Sequence, residues 1–180
     1  MRRSERLLYA ADGLDLRVVD VELADGEHVE RPFVRTPRAA GAVVFHNGRV
    51  LLLWRHRVIT DTWGWEIPLG EIGRDETPES AAARHVEAQT GWRPGELVPL
   101  IRIHPAGDVA DCDHEIFLAH QVSPTAAQES GEPAEGGELA QWLPILRIQR
   151  LISEQAITSA TTSAALLHFL ADLLQARAAH

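Results

Sequence analysis

Apolar and polar residues alternate along the first part of the chain, and a turn signal interrupts the pattern. Alternation runs through residues 6–35, for example over residues 14–18, and Asp25-Gly26 breaks it. A period of two is typical of a half-buried strand, and Asp-Gly is typical of a tight hairpin turn. The pattern predicts an N-terminal antiparallel unit of two or three strands, which we assign to residues 1–38.

A second hairpin is predicted where the chain is most apolar. Residues 42–45 and 50–54 are largely apolar, and Asn47-Gly48 between them is the residue pair that accepts the positive φ angles of a two-residue turn. Strands that are apolar on both faces belong inside a covered sheet. We therefore expect residues 39–180 to form the main domain, with this hairpin inside its sheet.

Helix signals bound two further segments. Thr77 is a suitable N-cap, Pro78 suits the first helical position, and Gly91 is a suitable C-cap, so a helix is predicted between them. A long C-terminal helix is predicted over residues 159–177, with a stripe at helical spacing that is suited to core or dimer contact: Leu166, Leu170, Leu173 and Leu174. Strands are predicted over residues 97–103 and 115–122, and a mobile surface loop over residues 124–137.

Composition excludes several classes of protein. The 180 residues include 26 acidic and 17 basic residues, giving a formal net charge of −9, so we expect no nucleic acid or anionic membrane as a partner. There is no apolar run near the roughly 20 residues of a membrane span and no signal-peptide core. The single Cys112 cannot form an internal disulfide. These features lead us to expect a cytoplasmic protein.

Four residues have the spacing of a known motif, G-x(5)-E-x(7)-R-x(6)-G: Gly70, Glu76, Arg84 and Gly91. The segment resembles the box of the Nudix hydrolase family, G-x(5)-E-x(7)-R-E-U-x-E-E-x-G-U, in which U is a bulky apolar residue. Val86 and Trp92 match the two apolar positions. The resemblance implies a Nudix-type α/β/α sandwich with a mixed sheet. It also implies that the N-terminal antiparallel β extension helps to pair two subunits in a homodimer.

The chain departs from this box at the three glutamates that the family uses to hold divalent metal, which are replaced by His85, Ala88 and Gln89. Positions three and four apart lie on one face of a helix, so three carboxylates there would form an oxygen-rich site for Mg²⁺ or Mn²⁺. An imidazole, a methyl group and an amide carry no negative charge, so they cannot offset the positive charge of closely spaced divalent ions. We expect the family's hydrolysis to be weak or absent, with Mg²⁺ or Mn²⁺ as the cofactor if activity remains.

The residues at the box positions allow more than one interpretation. Glu76 could contribute to a remodelled metal site with His85 and a loop acid, or Glu76 and Arg84 could form a buried ion pair that ties the loop to the helix. His85 could also act as a general base without metal, because an imidazole titrates near neutral pH. We carry Glu76, Arg84 and His85 forward as catalytic candidates and Glu76 as the metal-ligand candidate.

The segments before the box contain candidate substrate-binding residues. Residues 54–57 and 63–70 resemble the ADP-ribose and nucleotide-sugar pyrophosphatase branch of the family. The resemblance implies that Arg57 faces a phosphate and that Glu66 faces a ribose hydroxyl or base edge. Trp65 could stack on a base or fill a core corner. Our substrate-binding candidates are therefore Arg57, Trp65 and Glu66, with a nucleotide-like small molecule as the partner.

The branch also carries a catalytic acid after the box, which corresponds here to residues 104–115. Four acids in this stretch are candidates for the general base, and we carry Glu115 forward: Asp108, Asp111, Asp113 and Glu115.

Three functional hypotheses follow. The first is a Nudix-type hydrolase for a nucleoside diphosphate linked to another moiety, such as ADP-ribose, with a weak or remodelled metal site. The second is a non-catalytic nucleotide-binding or interaction domain, and the third is metal-free chemistry at His85.

Overall fold

A computed structural model describes residues 2–126, 128 and 139–178. The chain divides into two compact units. One comprises the chain up to Arg38 together with His104–Asp113, and the other comprises Ala39–Ile103 and the chain from His114 onward. Within the described residues, no helix is long and apolar enough to cross a membrane.

The first unit is built on one sheet. Its strands, numbered along the whole chain, are β1 (Arg2–Ala11), β2 (Leu14–Glu22), β3 (His28–Arg35) and β10 (Ala110–Asp111). They lie in the order β1-β2-β3-β10, antiparallel except for the parallel β3–β10 pair. Three antiparallel strands thus occupy the region where the alternating pattern predicted two or three.

The second unit holds the remaining strands and the helices. The strands are β4 (Ala39–His46), β5 (Arg49–Arg57), β6 (Thr62–Glu66), β7 (Leu69–Glu71), β8 (Trp92–Pro94), β9 (Leu97–Ile103), β11 (His114–Ala119), β12 (Val122–Pro124) and β13 (Leu139–Pro144). The helices are α1 (Pro78–Thr90), α2 (Ile148–Ser153) and α3 (Ala160–Ala178), with a 3₁₀ turn at Ile145–Arg147 before α2.

The main sheet of this unit is mixed. Its path is β13-β5-β4-β11-β9, with β6 paired to β5 and β7 paired to β4. Strands β4 and β11 are parallel, whereas the other pairs are antiparallel. The predicted Asn47-Gly48 turn joins β4 to β5, with φ angles of 49° and 75°. This hairpin therefore has the backbone conformation that its two turn residues favour.

Two apolar layers cover opposite faces of the sheet. On one face, Ala82 and Val86 of α1 pack with Val44 of β4. On the other face, Leu166 and Phe169 of α3 pack with residues of β4 and β5 such as Val43 and Leu52. The predicted α/β/α sandwich with a mixed sheet is confirmed.

The structure differs from the sequence predictions in two places. The strand predicted over residues 115–122 is divided into β11 and β12. In α3, Leu166, Leu170 and Leu173 pack in the core as predicted, but Leu174 is exposed because it has rotated off the buried stripe. The loop predicted over residues 124–137 lies largely outside the described residues.

Candidate functional site

Helix α1 is held firmly at both ends. Thr77 has an extended backbone, and its Oγ1 accepts a hydrogen bond from the Ser80 backbone N–H at 3.2 Å. Pro78 occupies the start of the helix, and Gly91 ends it with a φ of 72° while its N–H donates to the Glu87 carbonyl. The predicted caps are confirmed, so the side chains of α1 stand at fixed positions relative to the sheet.

An ion pair connects the loop before α1 to the helix. The Nε and Nη2 groups of Arg84 donate to the two oxygens of Glu76 at 2.8 and 2.7 Å, and the Gly73 N–H donates to Glu76 Oε2 at 3.0 Å. The Arg84 hydrogen bonds, followed by the Gly73 N–H, lower the pKa of Glu76 to about 2. The expectation of a buried pair is wrong, because the Arg84 side chain is 49 % exposed.

His85 and Gln89 connect α1 to β7 directly. His85 Nε2 lies 2.9 Å from the Glu71 carbonyl oxygen, which can only accept, so this nitrogen carries the proton. The Gln89 side-chain amide donates to the Leu69 carbonyl at 3.1 Å and accepts from the Leu69 N–H at 3.3 Å. The His85 ring lies against Gly70, where an added Cβ would be 2.5 Å from Nε2. These two side chains therefore hold the strand to the helix.

On the β5–β6 hairpin the buried carboxylate of Glu66 lies between the buried Arg55 and the exposed Arg57. Arg57 donates to Glu66 through Nε at 2.8 Å and through Nη2, and Arg55 Nη1 lies 3.6 Å from Glu66 Oε2. Glu66 is 7 % exposed and Arg55 is 9 % exposed. A buried carboxylate of this kind is tolerated because opposite charges surround it. The structure thus brings together two of the three predicted substrate-binding residues.

Trp65 lies on the other face of this hairpin. Neighbouring residues of a strand point to opposite faces, and the Trp54–Trp65 pair alternates with the Arg55–Gly64 pair. Trp65 packs on Trp54, with ring centroids 5.1 Å apart, and against the core under α3. Trp63 stacks on His56. The structure therefore separates Trp65 from Arg57 and Glu66, and its stacking on a ligand stays a prediction.

A cavity of about 310 Å³ adjoins the Arg57–Glu66 pair. Leu69 of β7, His114 of β11 and the segment Thr158–Thr161 at the start of α3 contribute to its lining. His114 Nδ1 lies 2.8 Å from Thr161 Oγ1. His114 was not among the predicted site residues, although the alternation of β11 places it on the opposite face from Glu115, the residue that was chosen.

Comparison with known proteins shows the family. The model of the NUDIX domain matches residues 35–164. The chain belongs to the Nudix family. A Streptomyces rubellomurinus relative named CMP-5'-(N-acetyl-N-hydroxy-3-aminopropyl)phosphonate hydrolase is 38% identical over 163 residues, which cover 88% of this chain and 77% of that protein. The ADP-ribose pyrophosphatase of Bacillus subtilis is 26% identical, with 94% of this chain and 92% of the relative covered.

A solved structure titled as an ADP compounds hydrolase has the same fold. It superposes with a TM-score of 0.78 at 19% identity, over 98% of this chain and 95% of the other. Together with the family match, this confirms the predicted Nudix resemblance.

Glu115 lies on the α1 side of the Nudix sheet. Glu115 pairs with Ala40 of β4, and Ala40 pairs with Gly70 of β7. The Cα atoms of Glu115 and Gly70 are therefore separated by two strand spacings, or roughly 10 Å. Arg102 Nη2 is 3.3 Å from its carboxylate. Glu115 therefore shares a face of the sheet with His85 and not with the cavity. Two of the other loop acids pair with arginines of the first unit, Asp111 with Arg35 and Asp113 with Arg38.

The α1 face of this Nudix domain does not fit a divalent ion. Nudix hydrolases generally use such ions, but His85 and Gln89 are hydrogen-bonded to the backbone of β7, and both oxygens of Glu76 bind Arg84. The carboxylate between these positions, Glu87, pairs with Arg93 at 2.8 Å. Among the described residues, no three His, Cys, Asp or Glu side chains are grouped so as to hold a metal ion. At positions 85, 88 and 89 the helix presents an imidazole, a methyl group and an amide in place of the carboxylate oxygens that hard cations prefer.

Proposed function

We propose that this Nudix protein hydrolyses a nucleoside diphosphate derivative, in which a nucleotide is joined to a second acidic moiety as in ADP-ribose. The proposal is supported by the family match and by the names of two relatives, one a hydrolase of a CMP-linked phosphonate and one an ADP-ribose pyrophosphatase. The products would be a nucleoside monophosphate and the second moiety. Water supplies the oxygen of the new P–O bond, and the displaced oxygen leaves with the second product.

The observation that carries this proposal is the Arg57–Glu66 pair at the cavity. A guanidinium has five N–H donors and matches the oxygens of a phosphate. Glu66 engages two of them and fixes the plane of the group, so Arg57 is oriented before the ligand binds. Arg55, buried behind Glu66, offsets the carboxylate charge that would otherwise repel an anionic substrate.

The rate of this hydrolysis should be low. Ordinary metal-assisted hydrolysis gains several kcal/mol of transition-state stabilisation from the ion's charge. The substitutions to His85, Ala88 and Gln89 remove the carboxylates that would hold that ion on α1. We propose Glu115 as the general base for a substrate that extends beyond the cavity to the α1 face, where this carboxylate lies. Neither His85 nor Glu76 is proposed for this role, because both are engaged in hydrogen bonds to the scaffold.

The test is chromatographic detection of AMP released from ADP-ribose and CMP from a CMP-linked alkylphosphonate, each with Mg²⁺, Mn²⁺ or EDTA. The native protein is compared with His85→Glu/Ala88→Glu/Gln89→Glu, after thermal unfolding has shown that the variant is folded. We expect slow native release and faster, metal-dependent release by the triple variant. Absence of nucleotide release from both proteins with both substrates would contradict the proposal.

A matched pair of variants tests whether the substrate binds in the cavity. Arg57→Lys keeps the positive charge but loses the forked geometry, so it should raise KM about tenfold. Arg93→Lys makes the same change on an exposed ion pair outside the cavity and should leave KM unchanged.

A second candidate function is a non-catalytic nucleotide-binding domain. The observation that favours it is the direct bonding of His85 and Gln89 to β7, which holds the scaffold together without a metal ion. It predicts calorimetric binding of ADP-ribose by the native protein without release of AMP under any of the metal conditions.

We also propose that the protein is a cytoplasmic homodimer. Cys112 is the single cysteine of the sequence, so no internal disulfide can form, and this suits a reducing compartment. Strand β1 is the outer strand of the sheet in the first unit, and Leu7, Leu8 and Tyr9 on it are exposed, which supports association through this strand.

A further inference from the structure

A second cavity lies at the end of the main sheet where β4 turns into β5. Its volume is about 440 Å³, which is within the range of small-molecule sites. We call it the aromatic cleft, and it is lined by six residues of the second unit: His46, Asn47, Arg49, Trp92, Val122 and Trp142. Aromatic walls with a few polar groups are the usual composition of a ligand site.

The aromatic cleft is remote from the residues of the proposed hydrolysis. Arg49 begins β5 and Arg57 ends it, so the two residues are roughly 26 Å apart at about 3.3 Å per residue. On β4, Ala40 pairs with Glu115, whereas His46 is at the other end of the strand, roughly 20 Å away. The cleft is therefore a separate site and not an extension of the substrate cavity.

The walls of the aromatic cleft are held by the protein core. The rings of Trp92 and Trp142 meet edge to face, with centroids 5.6 Å apart and an angle of 84° between their planes. The His46 ring is tilted towards Trp142, with centroids 6.2 Å apart. Trp92, Val122 and Trp142 all pack against the core on the α1 side of the sheet. The rings thus stand in place before a ligand arrives, and they offer aromatic surface to a planar ring.

Arg49 sets the charge of the aromatic cleft. Its Nη1 group donates to the Trp142 carbonyl at 3.1 Å, which holds the guanidinium beside the aromatic wall. This group has five N–H donors, and it makes no other hydrogen bond with the described residues. None of the residues that line the cleft is a carboxylate. Aromatic walls alone would accept a cation, but the guanidinium repels one and favours an oxyanion.

We propose that the aromatic cleft binds a planar aromatic ring that carries a phosphate or carboxylate group. The ring lies against Trp92 and Trp142, and the oxyanion binds Arg49. A nucleoside monophosphate and an aryl carboxylic acid share this chemistry. The inference goes beyond the proposed hydrolysis and does not depend on it, because the cleft shares no residue with the substrate cavity.

The five tryptophans of the chain provide the test. Two of them line the cleft, Trp92 and Trp142, and three lie on the β5–β6 hairpin, Trp54, Trp63 and Trp65. Their indole N–H resonances are followed by ¹H–¹⁵N NMR, and those of the cleft are assigned by their absence in Trp92→Phe and Trp142→Phe. The probes are AMP, indole-3-acetate, adenosine and inorganic phosphate.

We expect AMP or indole-3-acetate to shift the two cleft resonances in a saturable way. Adenosine lacks the oxyanion and inorganic phosphate lacks the ring, so each should bind about tenfold more weakly or worse, because one of the two contacts is lost. A response to AMP alone identifies the ligand class as a nucleotide, and a response to indole-3-acetate alone identifies it as an aryl carboxylate.

Variants of Arg49 test the anion contact separately from the ring contact. Arg49→Gln should weaken the Kd of the anionic probe about tenfold, because a hydrogen bond between charged groups is lost, and it should leave the Kd of adenosine within about twofold. Arg49→Lys, which keeps the charge, should recover part of the loss. The matched control is Arg93→Gln, because Arg93 adjoins Trp92 but pairs with Glu87 outside the lining, so this change should leave the Kd unaltered.

Three results would overturn the inference, whether or not the protein hydrolyses ADP-ribose. The first is the absence of any shift of Trp92 and Trp142 at millimolar concentrations of AMP and indole-3-acetate, or shifts confined to the three tryptophans of the β5–β6 hairpin. The second is equal affinity for AMP and adenosine without binding of indole-3-acetate. The third is an unchanged Kd in a folded Arg49→Gln variant. An Arg49-dependent Kd read from the cleft resonances supports the inference even if no hydrolysis is detected.

Discussion

At the scale of single residues, the contact between Gly70 and His85 defines this chain's version of the Nudix box. The imidazole occupies the space where a side chain at position 70 would stand, since an added Cβ would be 2.5 Å from Nε2 and 2.6 Å from Nδ1. Gly70 has no unusual φ to explain its presence. Its role here is to admit the His85 ring, which then bonds to the Glu71 carbonyl.

This contact gives the first prediction. Gly70→Ala should destabilise the protein by about 1–3 kcal/mol, because the methyl group must displace the His85 ring and its hydrogen bond. The free energy of unfolding in urea measures the effect. Gly107→Ala is the control, because nothing lies within 4 Å of a Cβ added there. The double variant Gly70→Ala/His85→Ala should be less affected by the methyl group than the single one, and equal losses on both backgrounds would refute the steric explanation.

At the scale of elements, the loop before α1 is fastened to the helix by charge. Glu76 accepts from Arg84 and from the Gly73 N–H, while Arg84 Nη2 also donates to the Glu71 carbonyl at 3.1 Å. One guanidinium therefore joins α1, the loop and the end of β7. The Glu76–Arg84 pair therefore ties the loop to both of these elements.

The second prediction concerns the pH dependence of this fastening. The pKa of Glu76 is lowered from 4.5 to about 2, first by Arg84 and then by Gly73, so the folded state favours the charged carboxylate. Its stabilising contribution is complete above pH 4.5 and is lost as the pH falls towards 2. In Glu76→Gln, thermal unfolding should therefore depend less on pH in this window than in the native protein. Glu96→Gln, an exposed carboxylate beyond α1, serves as the control, and parallel pH profiles for the native protein and Glu76→Gln would contradict the assignment.

At the scale of the whole molecule, we predict that two chains associate into a homodimer through β1. Light scattering should give twice the 19.9 kDa of one chain. Tyr9→Arg places a charge at a 61 % exposed aromatic residue of β1 and should shift the protein towards the monomer without lowering its unfolding temperature. Leu146→Arg, on an exposed leucine of the second unit, is the matched control. A native monomer, or dissociation by Leu146→Arg alone, would argue against pairing through β1.

The sequence by itself was sufficient to predict the features that depend on neighbouring residues. The caps of α1 and the Asn47-Gly48 turn depend on the conformational preferences of a few neighbouring residues, so these elements are where the sequence predicts them. The box spacing and the two covered strands likewise indicated the Nudix fold. His85, Ala88 and Gln89 can likewise be read directly from the sequence, and their helical spacing places them on one face of α1.

Only the tertiary structure decided which side chains meet. Adjacent residues of a strand face opposite sides of the sheet. His114 therefore lines the cavity while Glu115 faces α1, and Trp65 lies on the other face from Glu66. Sequence reasoning had no register with which to choose between such neighbours. The bonding of His85 and Gln89 to β7 is also a product of packing, since it joins residues 14 and 20 positions apart. Residue types are local, whereas hydrogen-bond partners depend on distances that only the folded chain sets.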